Sequence, residues 1–293
     1  MMDILLSIII PTYNRPQLLL RAVKSALAQT IEDLEVIVVD DCSSEPVNLP
    51  EHPRLQIISL PENQGGSAAR NIGLKAAKGH WINFLDDDDE LLPHTAEMSL
   101  KALSTSSLPK PVGVISGIEV INREGKVIQT RIPPTLPRGS HFGLENIDPA
   151  QSFLCKQTLI VEKAVLLSIE GFDESLSSRI HTDLFLRLNP VCSILGIAQI
   201  GYRLYKHNEF QISSDPTRRQ VGFNRIVEKH QKTFQAHPKM FADFLYNQAV
   251  VTYQLGQVQA GLKNLGWAMK VCPQHTCGRI FYTVINSIKR SFA

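Results

Sequence analysis

The sequence predicts an α/β protein: a mostly parallel sheet flanked by helices, followed by a helical C-terminal extension. Three observations carry this. Over the first hundred residues, unbroken apolar runs rich in β-branched residues alternate with amphipathic stretches. Two of those runs end in clusters of aspartate. Beyond about residue 219 strand signals vanish and the chain takes on helical periodicity. Strands of a parallel sheet are apolar throughout because helices cover both faces, and ligands gather outside their carboxyl ends.

The elements follow in order. "LLSIIIP" (5–11) has the composition of a strand buried on both faces and ended by proline. "RPQLLLRAVKSALAQ" (15–29) places proline at its start and an apolar stripe at Leu19, Val23, Ala26 and Leu27, which predicts a helix. "LEVIVVDD" (34–41) and "LQIISL" (55–60) are the second and third strands. "GGSAARNIGLKAAKG" (65–79) predicts a glycine turn, an N-cap at Ser67 and a helix closed by Gly79. "WINFL" (81–85) is the fourth strand, and 91–103 is expected to be a helix. Residues 112–130 suggest a hairpin around "NREGK", 131–151 a long Pro- and Gly-rich loop of the kind that forms a lid or acceptor loop, and 158–176 a strand, a helix and a turn. We expect one domain over 1–215 and a helical region over 216–293.

Composition sets the outer limits. With 293 residues, 43% of them hydrophobic and 20% charged, the chain is an ordinary folded protein rather than a disordered or fibrous one. No stretch approaches the roughly eighteen apolar residues of a membrane span, and "ILLSIII" (4–10) runs straight into Pro11. Five scattered cysteines without a CxxC argue against a disulfide framework and for the cytoplasm. Cys272, His275 and Cys277 match no familiar zinc module. Residues 1–200 hold 17 Lys and Arg against 24 Asp and Glu, whereas residues 201–293 hold 13 against 4. A basic C-terminal third suits an anionic surface, whether lipid headgroups, polyphosphate or nucleic acid, or simply a solvated helical face.

"INFLDDDDELLP" (82–93) is the densest chemical signal. Four consecutive like charges repel one another and have no place in a core, but at the end of a strand they line a crevice. There they can hold a hard divalent cation, Mn²⁺ or Mg²⁺, whose remaining positions are filled by substrate phosphates. Asp86 and Asp88, two apart, face the same side of an extended chain, with Asp87 turned away and Asp89 behind. The bland alternative is an acidic loop cap. No Walker or Rossmann glycine loop is present, so phosphate would be held by metal and side chains.

"SIIIPTYNRPQLLLRAVKSALAQT", "EVIVVDDCSS", "NQGGSAARNIGLKAAKGHWINFLDDDDELLP" and "GFDESL", in this order over roughly 5–190, resemble the family 2 inverting glycosyltransferases of the GT-A fold. The resemblance implies a nucleotide-sugar donor, a UDP-sugar above all, and a glycan or lipid-linked saccharide as acceptor. It implies no nucleic-acid partner. Pro11, Thr12, Tyr13 and Asn14, with Asp41, resemble the pocket for base and ribose. Arg70 resembles a basic residue near the donor. Asp86-x-Asp88 matches the DxD motif, in which carboxylates and a metal hold the diphosphate beside Asp87. Tyr13 also fits an ordinary strand-end aromatic, and Arg70 a surface pair with an acidic neighbour. Asp40 is expected to cap the turn "DCSS" rather than touch ligand.

The chain departs from the family at the expected base. Where members carry Glu-Asp-x-Asp-Leu after "GFDE", this chain has Ile180-His181-Thr182-Asp183-Leu184. His181 is one candidate proton acceptor; Asp183 is the other, or it orients His181, or it is a helix N-terminal carboxylate. Rival readings are a catalytically inactive relative that binds saccharide or acts as a scaffold, and a nucleotidyltransferase. Residues 245–273 resemble one tetratricopeptide-like hairpin, and 279–293 fit an amphipathic helix on a membrane surface, at its inner face, or one docked on the protein itself.

Overall fold

The computed structural model describes residues 5–140, 156–206 and 216–291. The chain forms two compact units: Met1–Phe142 with Ala150–Phe210, and Gly143–Pro149 with Gln211–Ala293. The predicted loop over 131–151 falls largely outside the described residues.

The first unit begins with β1 (Leu6–Thr12), α1 (Pro16–Leu27), β2 (Leu34–Asp40), β3 (Leu55–Ser59), α2 (Gly66–Ala76) and β4 (Trp81–Phe84). β5 (Glu90–Leu91), α3 (Thr95–Thr105), β6 (Val112–Ile121) and β7 (Val127–Arg131) follow. After a 3-10 turn (Lys156–Thr158) come β8 (Leu159–Glu162), α4 (Lys163–Ser168), α5 (Ile180–Leu188) and β9 (Ser193–Tyr205). The strands form one sheet in the order β3-β2-β1-β4-β8-β6-β9-β5, with β7 on β6. β3, β2, β1 and β4 run parallel; β8 is antiparallel to both its neighbours, while β9 runs parallel to β6. The sheet is therefore parallel where the first four apolar runs build it and mixed beyond.

Every residue of β1 and β2 is buried, which is why both are apolar on both faces. Leu19, Ala22, Val23 and Ala26 of α1 pack on one face of these strands beside Leu6, Ile8, Ile10, Val36 and Val38. Each leucine, isoleucine and valine side chain among them contributes roughly 1.5–3 kcal/mol on burial.

Three local expectations are corrected. α2 starts at Gly66, with Gly65 at φ +88° as its cap, so Ser67 lies inside the first turn and caps nothing. The helix ends at Ala76; Gly79 instead passes against β1, where a Cβ would sit 2.5 Å from the Ser7 amide nitrogen. The helix expected from residue 91 begins at Thr95, because Glu90 and Leu91 pair with Arg203 and Tyr202 of β9. β9, thirteen residues long, has no counterpart in the sequence reading.

The second unit holds α6 (Pro216–Lys229), α7 (Gln231–Ala236), α8 (Pro238–Gln254), α9 (Val258–Val271) and α10 (Pro273–Ser291). Stacked rings form its core: Phe234 lies 4.9 Å from Phe241 and 5.1 Å from Phe244, which lies 5.1 Å from Phe223. The turn between α8 and α9 uses Gly256 at φ +78°. Gly261 brings the two helices close, since a Cβ there would lie 3.1 Å from the Ala249 carbonyl oxygen. Asp243 of α8 pairs with His275 Nε2 at 2.9 Å and Arg279 Nε at 3.3 Å, tying α10 to it.

Candidate functional site

β1 and β4 are parallel neighbours, so their carboxyl ends open on the same edge of the sheet. The Leu85 amide still donates to the Ile9 carbonyl at 3.0 Å, a spacing typical of the ladder, and the chain then leaves the sheet. A tight turn follows, in which the Asp89 N–H donates to the Asp86 carbonyl at 3.2 Å. The turn brings carboxylate oxygens of Asp86, Asp88 and Asp89 within 4.8 Å of one another. Among the described residues this is the sole group of three acidic, histidine or cysteine ligands so gathered.

Asp87 points elsewhere. It is buried, accepts from Thr12 Oγ1 at 2.8 Å and faces Arg15 Nη1 at 3.3 Å. Burial pushes its carboxyl up to about 6, against the lowering pull of Thr12 and Arg15. Asp86 receives Arg70 Nη2 at 2.5 Å and the Gln157 amide. Asp88 faces Arg15 Nη1 at 3.1 Å, and its carbonyl accepts from Arg21 Nη2 at 2.5 Å. Asp89 is buried, accepting from the Tyr202 hydroxyl at 2.5 Å and the Tyr205 amide at 2.8 Å. Burial raises its carboxyl well above the usual range, and the neighbouring charges of Asp88 and Asp86 raise it further. A cation would relieve that crowding, and three hard oxygen donors suit Mg²⁺ or Mn²⁺. The residues present fit such an ion.

The end of β2 adjoins this turn through Thr12, whose carbonyl accepts the Asp41 amide at 2.9 Å while its hydroxyl holds Asp87. Asp41 is buried, and its two oxygens accept the N–H groups of Gln64 at 2.7 Å and Gly65 at 2.8 Å. Asp40 caps its turn through the Ser43 amide at 3.0 Å. Pro11 is buried within β1, and Tyr13 beyond it is exposed. Asn14, at φ +56°, accepts from the Ser44 amide at 2.8 Å and donates its own N–H to Ser43 Oγ at 2.8 Å. Cys42 (φ +65°) and Arg179 (φ +59°) share this left-handed geometry. For residues with a Cβ it is uncommon, and such positions cluster where a fold is shaped around a ligand.

The "GFDE" segment is fastened to α2. Asn71 Nδ2 donates to the Phe172 carbonyl and to Glu174 Oε1, both at 2.8 Å, and its Oδ1 accepts the Phe172 amide at 2.8 Å. Gly171 is required there: it has φ +63°, and a Cβ would meet Asn71 Oδ1 at 2.4 Å. Downstream, His181 and Asp183 both fall in the first turn of α5. His181 is half-buried. Asp183 is 0% exposed, and its Oδ2 accepts from Arg187 Nε at 2.9 Å and Nη2 at 2.6 Å.

Arg15, Arg21, Gln157, Tyr202 and Tyr205 all hold the aspartate turn, and none was singled out from the sequence. Arg15 had a signal, since it adjoins "PTYN". The others are ordinary residues until the sheet brings them in.

The sequence model of the family described as Glycosyl transferase family 2 matches residues 7–161. An uncharacterized glycosyltransferase of Haemophilus influenzae is 28% identical over 236 residues, covering 79% of each chain. The putative colanic acid biosynthesis glycosyl transferase WcaA of Escherichia coli K12 is 29% identical, covering 83% of this chain and 88% of its own. An Escherichia coli chondroitin synthase is 32% identical over 70% of this chain, which spans 29% of that longer protein. Among solved structures, S. aureus TarS 1–349 in complex with UDP-GlcNAc superposes with a TM-score of 0.63 at 20% identity, over 93% of this chain and 82% of that one.

Proposed function

The chain belongs to glycosyl transferase family 2 and has the GT-A fold, and on that footing we propose that it transfers a sugar, with inversion, from a UDP-sugar to a hydroxyl of a glycan or lipid-linked saccharide. The observation that carries this is the convergence of Asp86, Asp88 and Asp89 at the carboxyl edge of the sheet, joined through Thr12 to Asp41. Relatives named for colanic acid, chondroitin and hyaluronan synthesis, and a structural neighbour holding UDP-GlcNAc, support the same chemistry. They also support a role for this chain in polysaccharide assembly.

Asp86 and Asp88, backed by Asp89, would hold Mn²⁺ or Mg²⁺, which offsets charge on the departing nucleoside diphosphate. Asp41, oriented by the Gln64 and Gly65 amides, keeps lone pairs for the nucleoside, with Pro11, Thr12, Tyr13 and Asn14 forming the rest of its pocket. Arg70 and Arg15 neutralise the carboxylates and offer guanidinium donors to phosphate oxygens, beside Asp87. His181 takes the acceptor's proton as its oxygen bonds the anomeric carbon and the bond to diphosphate breaks. Asp183, held by Arg187, serves α5 and the placement of His181 instead of receiving that proton.

Among the described residues no helix is long and apolar enough to cross a membrane. We place the protein in the cytoplasm at the inner face of the membrane, with α10 as its contact. Phe281, Tyr282 and Val284 of that helix are exposed. The side chains of Lys289 and Arg290 lie outside the described residues.

A donor-hydrolysis screen across sugar nucleotides tests the function. Release of UDP from one UDP-sugar, dependent on Mn²⁺ or Mg²⁺, is the expected result. Binding of UDP without turnover of any donor and acceptor would favour the inactive, saccharide-binding reading instead.

A further inference from the structure

The second unit contains a cavity of about 450 Å³ walled by α7, α8 and α9. That volume falls within the range of small-molecule sites, roughly 300–1,000 Å³. Each helix contributes residues one turn apart: Gln231 and Gln235 from α7, Pro238 and Phe241 from α8, Trp267 and Val271 from α9. Residues at that spacing share a helix face, so the lining is built by three facing surfaces.

The chemistry of the lining is specific. Trp267 is 38% exposed, a high value for the largest apolar side chain, and Phe241 stands nearly perpendicular to it with centroids 5.3 Å apart. Phe241 in turn stacks on the fully buried Phe234 at 4.9 Å, so the indole is braced from the core side while part of it stays open. Gln231 and Gln235 are exposed at the rim, and their side-chain amides make no hydrogen bond to another described residue. None of the lining residues carries a charge.

A ligand that suits this lining is neutral, has one apolar face to lie on an indole, and bears hydroxyls at its edge for two amides. A pyranose meets all three demands: its axial C–H bonds form an apolar face and its equatorial hydroxyls donate and accept around the rim. A phosphate or carboxylate ligand would find no cation here, and an apolar peptide would leave the amides unused. We propose that this cavity is a second saccharide-binding site, which takes a neutral sugar ring of a glycan on Trp267 and hydrogen-bonds it through Gln231 and Gln235. The pocket binds sugar on its own chemistry, whether or not the first unit transfers it.

The test uses the full chain labelled with 5-fluorotryptophan. Its two tryptophans, Trp81 and Trp267, give two ¹⁹F resonances, and Trp267→Phe assigns them. Titration with cellopentaose and with N-acetylchitopentaose should move the Trp267 resonance saturably with at least one of them, and leave Trp81 in place. The paired substitution Gln231→Ala with Gln235→Ala, both at exposed positions, should weaken that binding at least about tenfold, the loss of two hydrogen bonds. It should leave thermal unfolding and donor hydrolysis unchanged. A Trp267 resonance that neither oligosaccharide moves at millimolar concentration overturns the site, as does binding unaffected by the glutamine changes. Sugar binding in a chain that hydrolyses no donor would leave the site standing and count against the transferase reading alone.

Discussion

At the scale of single residues, the aspartate turn divides its work. Asp86, Asp88 and Asp89 converge, while Asp87 turns back to Thr12 and Arg15. Asp88 is half-buried and packs little, so Asp88→Asn should abolish Mn²⁺-dependent stabilisation by UDP while the unliganded protein melts within a degree or two of wild type. At a hundred times its dissociation constant a ligand stabilises by about 2.7 kcal/mol, well within the reach of thermal unfolding. Equal UDP stabilisation in mutant and wild type, with and without Mn²⁺, would remove Asp88 from the ligand set. His181 is tested separately. His181→Ala should lower kcat by about 10²- to 10⁴-fold, the usual contribution of a general base, with UDP binding intact. Full activity in that variant would show the base to be another group. The aspartates were legible as charges at a strand end, because a charge has no other place there. Their arginine and tyrosine partners were not, because pairing across 67 to 116 residues is set by the sheet and not by neighbours in sequence.

At the scale of elements, burial on both faces makes a strand plainest, although the largely exposed β3 also shows as an apolar run. β1, β2 and β4 are covered on both faces and show it as apolar runs in which only Ser7, Glu35 and Asn83 are interior polar residues. β9 carries Gly196, Ala198, Gln199 and Gly201 among its apolar residues, and its burial runs in blocks rather than alternating, so neither periodicity survives. Its glycines are there for their neighbours: a Cβ on Gly196 would lie 2.4 Å from the Pro134 carbonyl oxygen, and one on Gly201 2.4 Å from Ser116 Oγ. The same logic separates two other glycines. Gly79→Ala would push a methyl into the β1 backbone and should cost about 3 kcal/mol or more, beyond ordinary overpacking, because backbone cannot swing aside. Gly125, in the hairpin turn at φ +75° with open space around it, should cost only about 1 kcal/mol on the same change. Chemical denaturation of the two variants decides; equal losses would mean that the close approach at Gly79 is relieved elsewhere.

At the scale of the whole molecule, charge is unevenly placed. Residues 201–293 carry 13 basic against 4 acidic residues, and α10 exposes Phe281, Tyr282 and Val284. If α10 rests on a membrane, deleting 279–293 should release the protein from anionic vesicles in a flotation assay and leave hydrolysis of a soluble donor intact. Precipitation of the deleted chain would identify the segment as structural, consistent with the Tyr246 hydroxyl that donates to Thr283 at 2.8 Å. The sequence showed the charge asymmetry but not which residues of the tail face inward, since that is decided by the partner helices.

The hold of Tyr202 and Tyr205 on Asp89 also has a bearing on the order in which the chain is made. Residues 7–161 hold all four aspartates, yet the groups that pin the last of them are synthesised 113 and 116 positions later, on a strand that joins β5 only at the sheet's far edge. Early strands can pair as they emerge, but a contact of that separation waits for its partner. A ribosome-stalled chain that exposes residues 1–162 and nothing further should therefore protect β1 and β2 from hydrogen exchange yet retain no UDP in the presence of Mn²⁺. Once residue 205 has cleared the exit tunnel, the nucleotide should be held, which would make ligand acquisition a late step of the protein's own translation.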